Sequence, residues 1–436
     1  MIGEELTKKV IESILERMRE LESIKAPNMV HGFNLVKIGA IGERAEHGVP
    51  VMEIYGTSTK FPYFEELRFV PAMIAKQPVE PNEVNTQVRI GPRAKKPLRL
   101  PMPIMATAMS YGFSITKEAK LAWGKGTALA GTACNSGDVG FFPPEREQAK
   151  YYIVQYNRGH YGNSQEELKQ ADAIEIRFGQ ASLGALGETL ESADIHEELA
   201  KQLNVEKGMT ATRPIQYAEI KEGKKLKDLV QKIRGINGSV PIGVKIAAGY
   251  IEDDLEEIIQ AECDFVTIDG AGGGTAGSPK VTLDNATLPL IYALPRAAKY
   301  LEKRGVKQDI SLIAVGGLRD SGDYMKALAL GADAVYAGQS ALIAMAYSQL
   351  HKVPPGTSPA EMYLAWGKHQ DLLDWEEGAR ALRNYLVASN TEMAMLTGMV
   401  GKKDIKEVNI HDLVCFRPEI KEATGSALAW EERMLK

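Results

Sequence analysis

The feature that most constrains this chain is a rhythm that begins at Pro103. Short runs of apolar and small residues, each ending at a glycine or a polar residue, alternate with helical or loop material. Eight runs follow one another: PIMATAM from Pro103, GTALAGTA from Gly126, YYIVQY from Tyr151, AIEIRFG from Ala173, PIGVKIAAG from Pro241, FVTIDGA from Phe265, ISLIAVGG from Ile310 and AVYAGQSA from Ala334. That alternation is the mark of an α/β chain. Helical stretches such as KEAKLAWGKG, KLKDLVQKIRGI, EDDLEEIIQAE and DYMKALALGA separate the runs, so successive strands are read as parallel with right-handed crossovers. Eight parallel strands over about 240 residues predict a closed (β/α)8 TIM barrel, with an open doubly wound sheet as the competing arrangement.

Residues 101–346 are assigned to the barrel. Before it, residues 1–100 combine a charged amphipathic helix, MIGEELTKKVIESILERMREL, with a proline-rich stretch of short β-prone runs, read as an N-terminal wrap-around extension. The segment from Gln180 to Gly238 is too long for one crossover helix and is expected to rise above the barrel mouth. After Leu350 the sequence PPGTSPAEM breaks the rhythm and DWEEGARALRNYLVASNTEMAMLTGMVG predicts helices, so residues 347–436 form a C-terminal helical tail. That tail should pack on the outside of the barrel or on another subunit, and a homo-oligomer is compatible with it.

Composition narrows the function classes. The 436 residues are 44% hydrophobic and 25% charged, enough for a large core, and a net charge of -5 with both signs interspersed offers no basic stripe for nucleic acid. No apolar run approaches the roughly 20 residues that span a bilayer, and the N-terminus does not read as a signal peptide, so a cytoplasmic protein without a membrane partner is expected. Cys134, Cys263 and Cys415 form no CxxC pair, and HEEL at His196 lacks the second histidine of a zinc helix; no metal site is expected.

The stretch VGGLRDSGDYMKALALGADAVYAGQSAL puts Gly316-Gly317 after the seventh run and Gly338-Gln339 after the eighth. In barrels of this kind the loops after strands seven and eight commonly hold a phosphate, because glycines let backbone N–H groups approach an anion. The plainer alternative is that these glycines only permit tight turns. TIDGAGGGTAGSP carries Gly272, Gly274 and Gly277 in GxGxxG spacing, but Pro279 and the lack of an acidic residue near twenty positions on argue against dinucleotide binding. It reads instead as a loop over the sixth strand against which a flat ligand can lie, or as a surface loop. Lys245, inside the apolar run IGVKIAAG, requires an anionic ligand or a carboxylate partner. Ser110, Asn135, Asp138, Gln155, Arg177, Gln180 and Asp269 occur in or just after the runs and would converge on one mouth around a phosphate-bearing ligand. Cys134 reads as a small strand residue rather than a nucleophile.

PIMATAMSYGFSITKEAKLAWGKGTALAGTACNSGDVG, IVQYNRGHYG, IEIRFGQASLG, VKIAAG, IDGAGGGTAGSP and SLIAVGGLRDSGDYMKALALGADAVYAGQSALIAM resemble, in this order, the FMN-binding synthase domain of glutamate synthase large subunits. The resemblance covers roughly Pro103 to Met345 and implies FMN at the barrel mouth. It places the phosphate on the Gly316-Gly317 and Gly338-Gln339 turns and the isoalloxazine edge beside Ser110, Gln155 and Lys245. Ala108, Met109, Asn135, Asp269, Gly273 and Gly274 complete the implied cofactor contacts. Lys245 would stabilise negative charge on the reduced ring. Asp138, Arg177, Gln180 and Lys245 are the implied catalytic residues, with Arg177 gripping a substrate carboxylate and Asp138 and Gln180 orienting the reacting group.

The departures from the family pattern are specific. NTGEGG appears as NSGDVG, which makes the family glutamate Asp138. KIAQGAKPG appears as RFGQASLGA, which keeps Gln180, puts Arg177 for the first lysine and puts Leu183 where the family has a cation for 2-oxoglutarate. The cysteines of a 3Fe–4S cluster are replaced by AYSQLHKVPPGTSP, and no cysteine nucleophile of a glutaminase follows Met1. The expected function is an FMN-dependent oxidoreductase acting on an amino, imino or oxo acid, with an electron-donor protein or a separate glutaminase subunit as partner. Two alternatives remain at the sequence level. One is a phosphosugar isomerase or synthase using Lys245 for acid–base or Schiff-base chemistry; the other is a non-catalytic FMN-binding subunit of a larger complex.

Overall fold

The computed structural model describes residues 35–53, 59–220, 225–274 and 278–432. The amphipathic helix expected at the start of the chain, and Gly277 of the glycine cluster, lie outside the described residues.

All eight expected runs contribute a strand: β1 Ile104–Ala108, β2 Ala133–Asn135, β3 Tyr151–Tyr156, β4 Ala173–Arg177, β5 Ile242–Ala247, β6 Phe265–Asp269, β7 Ser311–Val315 and β8 Ala334–Ala337. They pair in parallel in chain order, and β8 returns to β1 through Val335–Ile104, Tyr336–Met105 and Ala337–Ala106, which closes the barrel and rules out the open sheet. The strands are buried almost throughout, as a sheet packed inside and out must be. Within the wall, Gly243 of β5 is needed because a Cβ there would strike the ring of Phe265 on β6.

One boundary differs from the expectation. GTALAGTA belongs mostly to helix α1, Lys117–Ala130, and β2 begins only at Ala133. Thr116 caps that helix by accepting from Ala119 N, and Gly131 ends it at φ 80°, a left-handed position that glycine adopts without cost. Small residues such as Ala and Gly give no strand-or-helix signal of their own. Packing decides here: a Cβ at Gly126 would lie 2.9 Å from Ala379 O, so the glycine lets the long tail helix settle against α1.

A helix follows each strand: α1, α2 Pro143–Gln148, α3 Gln165–Leu168, α4 Leu226–Ile236, α5 Ile251–Gln260, α6 Leu290–Lys303, α7 Ser321–Ala329 and α8 Gln339–Tyr347. Between β4 and α4 the chain makes its excursion. An antiparallel hairpin, Glu188–Leu190 with Ala211–Arg213, encloses the helix Glu197–Leu203. This unit has its own apolar cluster, in which Leu199, Leu203 and Ala211 meet Tyr111, Val139 and Phe142 from the loops after β1 and β2.

The extensions close the opposite end and the side. The hairpin Val88–Ile90/Leu98–Leu100 lies under the starts of the strands, where Gly91 N donates to Ser311 Oγ and Lys96 N to Ser239 O. Strand Leu67–Phe69 pairs antiparallel with Leu413–Cys415, which pairs in parallel with Ala427–Leu428, so the two extensions share one small sheet. The tail helix α9, Trp375–Met399, packs on the barrel's outside against α1 and α8.

Candidate active site

The C-terminal ends of the strands surround a cavity of about 490 Å³, within the range that holds a cofactor-sized ligand. Its wall can be built up in three parts.

The first is a set of bare turns. Gly316 and Gly317 follow β7 at φ 100° and 71°, and α8 starts directly after Gly338. A Cβ on Gly316 would collide with Gly270 O, and one on Gly273 would fall 2.7 Å from Gly316 Cα, so the two glycine loops lie against each other. Among the described residues, no acceptor takes the backbone N–H of Gly316, Gly317, Gln339 or Ser340. Unclaimed N–H groups in a positive-φ turn, joined by the N-terminus of a helix, form a cradle for an oxyanion.

The second part is an ion pair. Lys245 from β5 meets Asp269 at the end of β6, Nζ to Oδ2 3.0 Å, with both side chains nearly inaccessible. The carboxylate partner anticipated for Lys245 is therefore present in the chain, and both groups still line the cavity. Asp269 Oδ1 is buried without a hydrogen bond among the described residues. Ala108, Met109 and Ser110 from the end of β1, with Gly273 and Gly274, line the same region.

The third part is a charged quartet. Asp138, after β2, accepts from Arg177 Nη1 at 2.7 Å on Oδ2 and is also paired with Arg213. Arg213 pairs in turn with Glu188, its partner across the excursion hairpin, and its guanidinium carbon lies 4.5 Å from the centre of the Phe113 ring. Burial alone would raise the Asp138 carboxyl, but Arg177, then Arg213, Lys245 and Arg158, outweigh it and hold the group below the usual carboxylate range. It is ionised at neutral pH. Gln180 lines the cavity beside these groups, while Leu183 is buried in the turn that Gln180 O closes and does not line it.

Three expected site residues stand elsewhere. Arg177 lies behind Asp138, 1% exposed, and is not part of the cavity wall. Asn135 and Gln155 point into the barrel interior, where each donates to Glu175 Oε1 at 2.8 Å. Thr267 Oγ1 donates to Glu175 Oε2 at 2.7 Å, and Tyr336 OH reaches the same oxygen at 3.4 Å. A fully buried carboxylate thus gathers donors from β2, β3, β6 and β8 into one polar layer, whose Tyr336 also lines the cavity.

Sequence reasoning passed over Arg213, Glu188 and Phe113, and also Tyr63, an extension residue at the glycine turns with the Arg319 guanidinium 5.4 Å from its ring. TATRPIQ carries no periodicity or motif that marks Arg213; the only usable signal was an excursion placed above the mouth. A further support lies outside the cavity. Lys120 of α1 donates to Met109 O at 2.8 Å and Ser136 O at 3.0 Å and pairs with Glu145 of α2 at 2.5 Å, with the Lys120 and Glu145 side chains fully buried, so one ammonium ties together the loops that carry Ser110 and Asp138. Burial pushes the Glu145 carboxyl up to about 7, against the pull of Lys120 and of the Tyr152 hydroxyl that donates to it at 2.7 Å.

Comparison with known proteins agrees with this architecture. Residues 57–403 match the family described as the conserved region in glutamate synthase. A glutamate synthase large subunit-like protein of Rhizobium meliloti (strain 1021) is 30% identical over 410 residues, 89% of this chain and 92% of that protein. An archaeal-type glutamate synthase (NADPH) of Thermotoga neapolitana is 32% identical over 313 residues; these are 71% of this chain but only 62% of that protein, less than two thirds of its length. Among solved structures, a mandelate oxidase variant bearing a monooxide FMN adduct superposes with a TM-score of 0.50 over 80% of this chain and 88% of its own, at 15% identity, which is a likeness of fold. No helix among the described residues is long and apolar enough to cross a membrane.

Proposed function

The chain belongs to the glutamate synthase family, and on that premise we propose that it binds FMN and acts as an oxidoreductase on an amino or imino acid, with an external electron partner. The observation that carries the reading is that an oxyanion cradle and a buried Lys–Asp pair face one cavity of cofactor size.

The residues present fit the group. The N–H groups of Gly316, Gly317, Gln339 and Ser340 would take the phosphate, and Asp269 Oδ1 remains an unmet acceptor at the ring region. Lys245 supplies a fixed positive charge that favours an electron-rich ring, and Asp269 holds the ammonium in place. Ala108 to Ser110 and Gly273-Gly274 would flank the ring, the latter approachable because they carry no side chain. Bound FMN supplies hydride exchange at its N5.

This chain's own groups do the rest. Asp138, kept ionised by the guanidiniums around it, accepts hydrogen bonds from a substrate nitrogen, and Gln180 fixes the reacting group beside it. Arg177 acts through Asp138, while Arg213 itself lines the cavity. The Lys120–Glu145 pair holds the loops of Ser110 and Asp138 in register. Lys245 is engaged by a carboxylate rather than standing as a free amine, which favours the flavin reading over Schiff-base chemistry.

The test is reconstitution. Protein freed of ligand is titrated with FMN and followed by visible absorbance and quenching of flavin fluorescence. Saturable uptake of one flavin per chain is expected. Protein that stays colourless, or that traps a carbonyl substrate on Lys245 with borohydride, overturns the reading.

A further inference from the structure

The glycine turns are bordered by a side chain from outside the barrel. Tyr63, in the N-terminal extension, lines the cavity together with Gly272, Gly316 and Gly317. A Cβ built on Gly272 would lie 3.1 Å from the Tyr63 hydroxyl oxygen, and one on Gly317 would lie 3.2 Å from Cε1 of the same ring. The phenol therefore sits where the two glycine loops meet, beside the turn whose N–H groups are unclaimed. Among the described residues its hydroxyl takes part in no hydrogen bond.

Two neighbours hold the ring. The Arg319 guanidinium carbon is 5.4 Å from its centre, and Phe61 meets it edge-on with 6.1 Å between ring centres. Arg319 is fixed in turn: Nε donates to Asp323 Oδ2 at 2.8 Å, Nη2 to Asp323 Oδ1 at 3.2 Å, and Nη1 to Glu65. The following residue anchors the segment, since Phe64 is buried and its carbonyl oxygen accepts from Lys326 Nζ of α7 at 2.9 Å. A ring placed in advance adds little ordering cost to ligand binding. A phenol without a partner in the chain, pinned beside an oxyanion cradle, suits a phosphate, whose ionised oxygens accept strongly from O–H groups.

We propose that Tyr63 is a cofactor-binding residue, its hydroxyl donating to the phosphate of FMN, and that Arg319 is the positioning residue that keeps the ring at the glycine turns. All three nitrogens of the Arg319 guanidinium already face the carboxylates of Glu65 and Asp323, which leaves the phosphate to neutral donors, the backbone N–H groups and the phenol. This inference rests on the flavin reading and adds a phosphate ligand from outside the barrel, together with the group that supports it.

The test compares FMN with riboflavin, which has the same ring system and no phosphate. Both are titrated into flavin-free wild type and Tyr63→Phe and followed by fluorescence quenching. FMN should bind the variant about tenfold more weakly, as loss of one hydrogen bond to a charged group predicts. Riboflavin affinity and the Tm of the flavin-free protein should stay unchanged, because the hydroxyl has no partner in the chain. FMN affinity that is unaltered, or FMN and riboflavin affinities that fall together, overturns the inference and leaves the flavin reading intact. Where riboflavin binds too weakly to titrate, the flavin-free Tm takes its place: weaker FMN binding at an unaltered Tm supports the inference, and a lowered Tm overturns it. Arg319→Gln should also weaken FMN binding, and adding Tyr63→Phe to it should cost no further affinity. Losses that add assign Arg319 to the phosphate directly and overturn its positioning role. If Arg319→Gln does not fold, Tyr63→Phe decides alone. Wild-type protein that takes up no FMN overturns the underlying reading and this one with it.

Discussion

Replacing Lys120 by methionine tests whether one buried ammonium organises the loops beside the cavity. The substitution keeps the length of the side chain and removes three contacts: Met109 O, Ser136 O and Glu145 Oε2. Two carbonyl oxygens are left without this donor, at a cost of about 1–3 kcal/mol for buried polar groups. The carboxyl adds a term that depends on pH. In the wild type Glu145 ionises at about 7 because Lys120 opposes the effect of burial; without Lys120 it stays protonated to higher pH. Both proteins share the same ordinary carboxyl when unfolded, so each pH unit above the wild-type value adds about 1.4 kcal/mol to the cost of the substitution.

The expected loss in Lys120→Met is therefore about 1–3 kcal/mol near pH 6 and about 3–5 kcal/mol near pH 8.5. At about 2.1 cal/mol/K per residue, unfolding of the 436-residue chain carries roughly 0.9 kcal/mol/K, so the larger loss lowers Tm by about 3–6 °C. Equilibrium unfolding in guanidinium at both pH values measures it. The double variant Lys120→Met/Glu145→Gln, which lacks the titrating group, should lose the pH dependence. A loss below about 1 kcal/mol at the higher pH, or the same loss at both, refutes the argument that Lys120 holds a buried carboxylate.

Glu145→Gln alone should flatten the stability profile of the wild type: a carboxyl raised from 4.5 to about 7 makes stability fall as pH rises through that window, and denaturant midpoints across it will show the slope removed. Gly316→Ala places a methyl on Gly270 O at a φ of 100°, so FMN affinity measured by fluorescence quenching should drop by about tenfold or more. Lys245→Met removes the cation proposed to lie beside the flavin ring, and the two-electron midpoint potential of the loaded protein should fall by roughly 30 mV or more, about 1.4 kcal/mol, when equilibrated against reference dyes. Glu175→Leu strips the acceptor from Asn135, Gln155 and Thr267, and the resulting unmatched donors should cost about 2–4 kcal/mol in chemical unfolding.

What the sequence determined by itself is the ring and one half of its mouth. A strand packed between barrel interior and helices is mostly apolar, so the runs at Ile310 and Ala334 announce themselves without any neighbour. Gly316, Gly317 and Gly338 are legible as turns of bare backbone for a similar local reason, since glycine just past an apolar run marks a strand end, and Lys245 is conspicuous as a charge in an apolar run. Tertiary structure decided what local pattern leaves undetermined. GTALAGTA is composed of small residues that suit helix and strand alike, and the close approach of α9 at Gly126 settles it as helix. Asn135 and Gln155 sit on strands like their neighbours, yet the stagger between adjacent barrel strands sets the level each reaches, and it places them on Glu175 below the cavity. Arg213 reaches Asp138 only because a hairpin in the excursion pairs it with Glu188 and the satellite cluster around Leu199 docks that hairpin over the mouth. Burial and glycine geometry are properties of a residue and its nearest neighbours, so they can be read along the chain. The meeting of charges from distant segments depends on the register and docking of whole elements, and these exist only once the core has formed.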